Sequence, residues 1–345
     1  MKTTRLHTIV LALTSLGLWN CSGKRPSLSP HDSRTFSLQV QESLRTVIQS
    51  VVGVASIFSY RNEFFPHQLV NGQLVPDSTS PTGYLLQPSE KKSNPREQET
   101  QKVNGVGLII YRGPSEAVIL TSAHILFKPD TLTSYYRDSA DRLTGVIQAR
   151  AIKTGANFFV IGQTNQFIGA EIIHADAKAD LALIMVNSSA ALGMPFPYQL
   201  AYAHPVDWGD FAYVIGYPRE VRQVASGLVS KTMAPGTFVL DVVARHGYSG
   251  GPVFVVHPEK GLDLAGMIRG VPVSKLLFVA PPRNIPSGQA LNEKDLQTVT
   301  AQEIDLIDYG TTYAINLDVI GKFLKSSAKL LERKGVVLDT KYFSN

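Results

Sequence analysis

Residues 247–254, Gly-Tyr-Ser-Gly-Gly-Pro-Val-Phe, form the most specific stretch of this sequence. A single serine, Ser249, lies among three glycines and a proline, directly before an apolar run. Glycine permits tight turns with positive φ and lets another molecule approach the backbone closely. Backbone N–H groups in such a turn can converge on an oxyanion, which makes Ser249 a candidate nucleophile. The alternative interpretation is an ordinary turn without a chemical role.

Two further segments each carry one ionisable residue in apolar surroundings. His124 lies in residues 119–126, Ile-Leu-Thr-Ser-Ala-His-Ile-Leu, where an apolar strand runs into a turn of small residues. Asp180 opens the apolar run 181–186. Each signal is weak alone, because lone histidines are often structural and aspartates commonly stabilise turns. Together with Ser249 they give the chain order His, Asp, Ser.

This order resembles that of the trypsin-like (chymotrypsin-fold) serine peptidases, whereas other folds that carry the same triad use different orders. Further segments resemble the bacterial HtrA/Deg-type branch of that family, and the resemblance covers about residues 40–335, with no PDZ domain after it. These segments are 105–110 (Gly-Val-Gly-Leu-Ile-Ile), 214–218 (Val-Ile-Gly-Tyr-Pro), 225–230 (Ala-Ser-Gly-Leu-Val-Ser) and 313–315 (Tyr-Ala-Ile).

The resemblance implies an all-β fold of two six-stranded antiparallel barrels, with an N-terminal and a C-terminal helix and the active site between the barrels. It implies a serine endopeptidase in which His124 is the general base, Asp180 orients the imidazole and Ser249 forms the acyl-enzyme. The backbone N–H groups of Gly247 and Ser249 would form the oxyanion hole. The alternative is an inactive lipoprotein of the same fold that binds a protein partner.

Substrate specificity is predicted from positions near the nucleophile. The resemblance places the base of the pocket at Val243, which has no charge to attract Lys or Arg, and favours small or medium aliphatic side chains. A preference for acidic side chains is the alternative, because three basic residues lie nearby in the sequence. The predicted wall consists of Met267, Ile268, Arg269 and Gly270, and the basic residues are Arg245, His246 and Arg269.

Tyr248 departs from the family pattern, which has Asp or Asn at this position. A carboxylate there pairs with a freshly cut N-terminus in the digestive enzymes, so activation of that kind is not expected here. How Tyr248 shapes the turn, and whether the site is active at rest, stays open at this point.

The organisation of the chain follows from its composition. Residues 61–103 contain five prolines and many polar residues, and are interpreted as a long loop that is either functional or unstructured. Apolar residues with helical spacing predict a helix within residues 37–52 and another over about 317–333. The predicted parts are a protease domain at 38–335, with barrels at about 50–195 and 196–316, and a C-terminal tail at 336–345.

The N-terminus resembles a bacterial lipoprotein signal. Lys2 and Arg5 precede an apolar run over residues 9–19, which is too short to span a bilayer comfortably. The only cysteine, Cys21, follows this run and would be lipidated, with residues 1–20 as signal peptide and 21–37 as tether. This predicts a membrane-anchored lipoprotein of the bacterial cell envelope, facing the periplasm or the cell surface. An ordinary secretory signal is the alternative.

Composition excludes several classes of protein. The chain has 345 residues, of which 44% are hydrophobic and 18% charged, so it can bury a core and is not a disordered protein. The formal charge of +5 is scattered, with no recognisable nucleic-acid-binding motif. A single cysteine excludes an intramolecular disulfide. We expect no metal or cofactor and a protein or peptide substrate, and leave association of identical subunits open.

Overall fold

The computed structural model describes residues 30–71, 73–87, 98–137, 143–198, 200, 206–231, 235–257, 261–280 and 300–343. Its two long helices are α1 (Pro30–Val47) and α2 (Leu317–Arg333). Helix α1 begins within the stretch assigned to a tether at 21–37, because proline is favourable in the first helical turn and does not interrupt a helix that starts there. The predicted signal peptide and Cys21 lie outside the described residues. Among the residues that the structure describes, no helix is both long and apolar enough to cross a membrane.

Seventeen strands are formed by the described residues. They are β1 (Val51–Phe64), β2 (Leu69–Val70), β3 (Gln73–Leu74), β4 (Gln98–Arg112), β5 (Ala117–Thr121), β6 (Thr131–Arg137), β7 (Leu143–Ile161), β8 (Phe167–Asp176), β9 (Leu181–Val186), β10 (Phe211–Gly216), β11 (Gln223–Lys231), β12 (Thr237–Leu240), β13 (Pro252–His257), β14 (Gly261–Gly270), β15 (Val273–Ala280), β16 (Thr300–Ile307) and β17 (Thr312–Asn316).

The first barrel is a closed antiparallel ring in the order β1-β4-β5-β9-β8-β7, because β1 pairs with both β4 and β7. Strand β6 pairs with β7 outside this ring. Strands β5 and β9 are buried along their whole length and supply core residues such as Ile119 and Ile184. Burial on both faces explains why these two strands are continuous apolar runs in the sequence.

The second barrel is closed in the order β10-β11-β12-β17-β14-β13 and is also antiparallel. Its core includes Phe238, Leu240 and Ile268, together with Tyr248 from the turn before β13. The two six-stranded barrels and the two helices confirm the predicted fold class. Residue 248 therefore belongs to the interior of the second barrel as well as to the candidate active-site turn.

The ends of the described chain pack on this body. Val40 and Val47 of α1 are buried in the same apolar cluster as β14. After α2, the side chains of Leu338 and Tyr342 are buried, and Lys341 Nζ donates to the carbonyl of Phe196 at 2.7 Å. The segment predicted as a C-terminal tail thus contributes to the core up to residue 342.

The segment 61–103 differs from the predicted long loop at both ends. Strand β1 continues to Phe64, and β4 already begins at Gln98, so the two strands form a ribbon of paired residues as far as Arg61 and Gln98. The sequence did not predict this ribbon because its residues are mostly polar, and a strand that is not buried on one face lacks the apolar alternation.

Candidate active site

The carboxylate of Asp180 is hydrogen-bonded to both the imidazole ring and the backbone N–H of His124. His124 Nδ1 lies 2.8 Å from Asp180 Oδ2, and the backbone N–H of His124 donates to Oδ1 at 2.9 Å. The side chain of Asp180 is only 10% exposed, whereas that of His124 is 44% exposed. The imidazole is therefore fixed at its Nδ1 edge, and the rest of the ring faces solvent.

Strand pairing in the first barrel brings these two residues together. Strand β5 pairs with β9 up to Thr121 opposite Ala182, so the turn after β5 meets the residue before β9. The carbonyl of Asp180 accepts from the N–H of Ala123 at 3.2 Å. Asp180 has a φ of +56°, a left-handed conformation that costs energy for a non-glycine residue and is maintained here by these contacts.

The turn that carries Ser249 docks against the first barrel through its backbone. The carbonyl of Ser249 accepts from the N–H of Val106 in β4 at 2.8 Å, and Gly250 N–H donates to the carbonyl of Ile268 at 2.9 Å. A methyl group added at Gly250 would lie 3.0 Å from the backbone nitrogen of Ser122, and φ is +76° there. These contacts place Ser249 beside the turn that carries His124. Within the described residues, no hydrogen bond joins the two side chains.

Two backbone donors of this turn are free for a ligand. Among the described residues, the N–H groups of Gly247 and Ser249 donate to no protein acceptor, whereas Tyr248 N–H bonds to the carbonyl of Arg245. Gly247 has a φ of +100°, and a methyl group there would lie 2.7 Å from Pro218 Cα. Only glycine fits this position without strain, which agrees with its predicted place in an oxyanion hole.

The side chain of Tyr248 anchors the turn in the second barrel. It is only 3% exposed, and its ring covers Gly216, where an added methyl group would lie 2.5 Å from the ring. Burial raises the pKa of the phenol, and the positive charge of Arg245 opposes this increase. Gly216 belongs to the segment 214–218, and a glycine inside a strand is a signal of close approach by another group, here the ring of Tyr248.

A small cavity of about 30 Å³ lies beside Ser249. Ile268 and Gly270, both predicted as pocket residues, line it. Met267 is buried in the core, and Arg269 is exposed and does not line the cavity.

The predicted pocket base is displaced by one residue. Val243 is 60% exposed, and its neighbour Ala244 lines the cavity instead. In an extended segment neighbouring side chains point to opposite sides, and Val242 and Ala244 are both buried here. The number of residues between Val243 and Ser249 does not determine in which direction the side chain of Val243 points.

Residues 105–258 match the family model described as the trypsin-like peptidase domain. His124, Asp180 and Ser249 all lie within this range. The matched segment and the two closed barrels resemble a trypsin-like peptidase domain, which supports a function of the serine-protease type. A search of the curated proteins found no match. Within the described ranges, no group of three or more His, Cys, Asp or Glu side chains is placed to hold a metal ion.

Proposed function

We propose that this protein is a serine endopeptidase that cleaves proteins through an acyl-enzyme on Ser249. The observation that carries the proposal is the hydrogen bonding of Asp180 to His124, beside the turn that carries Ser249. The first barrel supplies a candidate base and the residue that orients it, and the second barrel supplies a candidate nucleophile in a glycine-rich turn. Acyl transfer requires these three roles. The matched peptidase family supports the same conclusion.

In the proposed reaction, Asp180 accepts a hydrogen bond from Nδ1–H of His124, which keeps the proton on Nδ1 and leaves Nε2 as the base. Nε2 takes the proton from Ser249 Oγ while this oxygen attacks the scissile carbonyl. The N–H groups of Gly247 and Ser249 stabilise the oxyanion, and the imidazolium then protonates the leaving amine. In the second half of the reaction, His124 takes a proton from the water that attacks the acyl-enzyme, and then returns it to Ser249 Oγ as the acid product leaves. Hydrogen bonds between base and nucleophile often tighten only when substrate binds, which fits the separate side chains of His124 and Ser249.

The cavity beside Ser249 supports a preference for a small aliphatic side chain before the scissile bond. Its volume is only about 30 Å³. Ala244 and Ile268 contribute apolar surface, while Arg245 and His246 also line the cavity and make an acidic side chain the alternative.

The assignment to a branch of the peptidase family and the assignment of a lipid anchor both rest on sequence resemblance. We place the protein in the HtrA/Deg-type branch and propose that Cys21 carries the lipid that anchors it in the bacterial cell envelope. Replacing Cys21 with Ser should release the protein from isolated membranes into the soluble fraction. Retention of the variant in the membranes would contradict the lipid anchor.

Profiling of cleavage sites tests the proposed function. The purified protein is incubated with a denatured proteome, and the new N-termini are identified by mass spectrometry, with Ser249→Ala as the matched control. We expect cleavage after small aliphatic residues that disappears in the control. Cleavage that persists in Ser249→Ala would refute the nucleophile, and no cleavage by the wild type would favour the inactive partner-binding alternative.

A further inference from the structure

A basic cleft of about 600 Å³ lies beside Gly247, between the two barrels. Of the eleven described residues that line it, four are Lys or Arg and none is Asp or Glu. The first barrel and the segment after His124 contribute Lys102 and Lys128, and the second barrel contributes Arg219 and Arg245. His246 lines the same cleft.

Most of this positive charge has no acidic partner among the residues that the structure describes. Lys102 pairs with Glu220 across the two barrels. Arg245 donates to the neutral Oε1 of Gln223 at 3.0 Å. In the part of the chain that the structure describes, Lys128, Arg219 and Arg245 make no ion pair, so three positive charges remain after Glu220 is counted. Low-dielectric walls concentrate the field of such charges in a cleft.

The position of the cleft relates it to one side of the substrate. Gly247 N–H marks the place of the scissile carbonyl, and Lys128 follows His124 closely along the chain. His124 is the group that gives its proton to the leaving amine. Arg245 and His246 line both the basic cleft and the small cavity beside Ser249. Ile268 and Gly270 line only the small cavity, whereas Lys102 and Lys128 line only the basic cleft. The basic cleft therefore lies towards the leaving-group side of the scissile bond.

We infer that this cleft binds acidic side chains that follow the scissile bond, so that the substrates are proteins with Asp or Glu on the leaving-group side. This inference rests on the proposed peptidase function for the direction of the chain, although binding itself needs no catalysis. It differs from an acidic preference in the pocket before the scissile bond, because the cavity there has a volume of only about 30 Å³, against about 600 Å³ for the basic cleft. The uncompensated lysine and arginines would attract such substrates and orient them along the cleft.

The test measures peptide binding to the Ser249→Ala protein by fluorescence anisotropy. Two C-terminally amidated peptides share a small residue followed by four positions, which are Glu in one peptide and Gln in the other. Amidation removes the terminal carboxylate, so that only side chains carry the negative charge. We expect the Glu peptide to bind at least about tenfold more tightly at low salt, with a difference that shrinks as salt screens the charges.

Charge reversal locates the binding site. Lys128→Glu combined with Arg219→Glu should remove most of the preference, and the corresponding double Gln variant should remove about half of it. Lys329→Glu is the matched control, because Lys329 is exposed on α2 and does not line the cleft. Thermal unfolding of each variant checks that it is folded. An equal loss of preference in Lys329→Glu would overturn the proposed location.

Two further outcomes would overturn the inference: equal binding of the Glu and Gln peptides, or equally tight binding of a DNA oligonucleotide with the same charge as the Glu peptide. Failure of the peptidase proposal looks different, because a protein with no cleavage activity can still prefer the Glu peptide. Conversely, cleavage that depends on Ser249 but shows no preference for acidic side chains would support the proposed peptidase function. It would refute only the binding of acidic side chains in the cleft.

Discussion

The two halves of the candidate active site are held by different kinds of interaction. In the first barrel, a nearly buried carboxylate fixes His124 through hydrogen bonds to its ring and its backbone. In the second barrel, the turn of Ser249 is held by backbone hydrogen bonds and by the buried ring of Tyr248. The difference teaches that the first half depends on charge and the second on shape. Isosteric polar substitutions should therefore damage the first half most, and changes of volume the second.

The largest effect is expected in the first half, from Asp180→Asn. The amide keeps the size of the side chain but can donate to Nδ1, which leaves the imidazole in the wrong tautomer and should lower the peptide cleavage rate by about 10⁴-fold. Steady-state kinetics on a fluorogenic peptide measure this change. Asp318→Asn, an exposed carboxylate at the start of α2, is the control and should retain the wild-type rate. A similar rate for both variants would exclude a catalytic role for Asp180.

The next effect is expected in the second half, from Gly247→Ala. The added methyl group would collide with Pro218 and strain a residue with a φ of +100°, so the two oxyanion donors should lose their alignment. Loss of one such donor typically lowers kcat by about 10²–10³-fold. Gly209→Ala is the matched control, because its φ of +82° is also strained but its surroundings are open. If both variants retain wild-type kcat, the turn does not supply the oxyanion hole.

A smaller effect on kcat, with a clear loss of stability, is expected from Tyr248→Ala. Removing a buried aromatic ring typically lowers the free energy of unfolding by about 3–5 kcal/mol, which urea denaturation measures. Tyr248→Phe retains the ring over Gly216 and should cost much less. Equal losses in the two variants would mean that the hydroxyl, and not the ring, anchors the turn, and would break the contrast between charge and shape.

The sequence predicted the parts of this comparison that rest on continuous local patterns. The apolar runs of β5 and β9, the glycine-rich turn around Ser249 and the amphipathic pattern of α2 are each visible within a few residues. The two-barrel architecture followed from the resemblance and is confirmed. The roles of His124, Asp180 and Ser249 stay predictions until activity is measured, as does the lipid anchor on Cys21.

The features that the sequence did not predict depend on contacts between distant segments. Strands β15 and β16 pair with each other and, among the described residues, with no other strand, and Leu276 and Ile304 in them are exposed. Tyr342 enters the core because Phe196 and α2 provide a place for it, which no local pattern near the C-terminus indicates. Ala244 takes the place predicted for Val243 because the backbone direction, and not the residue count, decides which side chain faces the cavity.

The central claim is that the two halves act together on the hydroxyl of Ser249. The most direct measurement is the site of reaction with a fluorophosphonate probe, identified by peptide mass spectrometry after labelling of the purified protein. The account predicts one adduct, on Ser249, that is absent in Ser249→Ala and forms far more slowly in Asp180→Asn. An adduct on another residue, or labelling of Ser249 at the same rate when Asp180 is replaced, would contradict it.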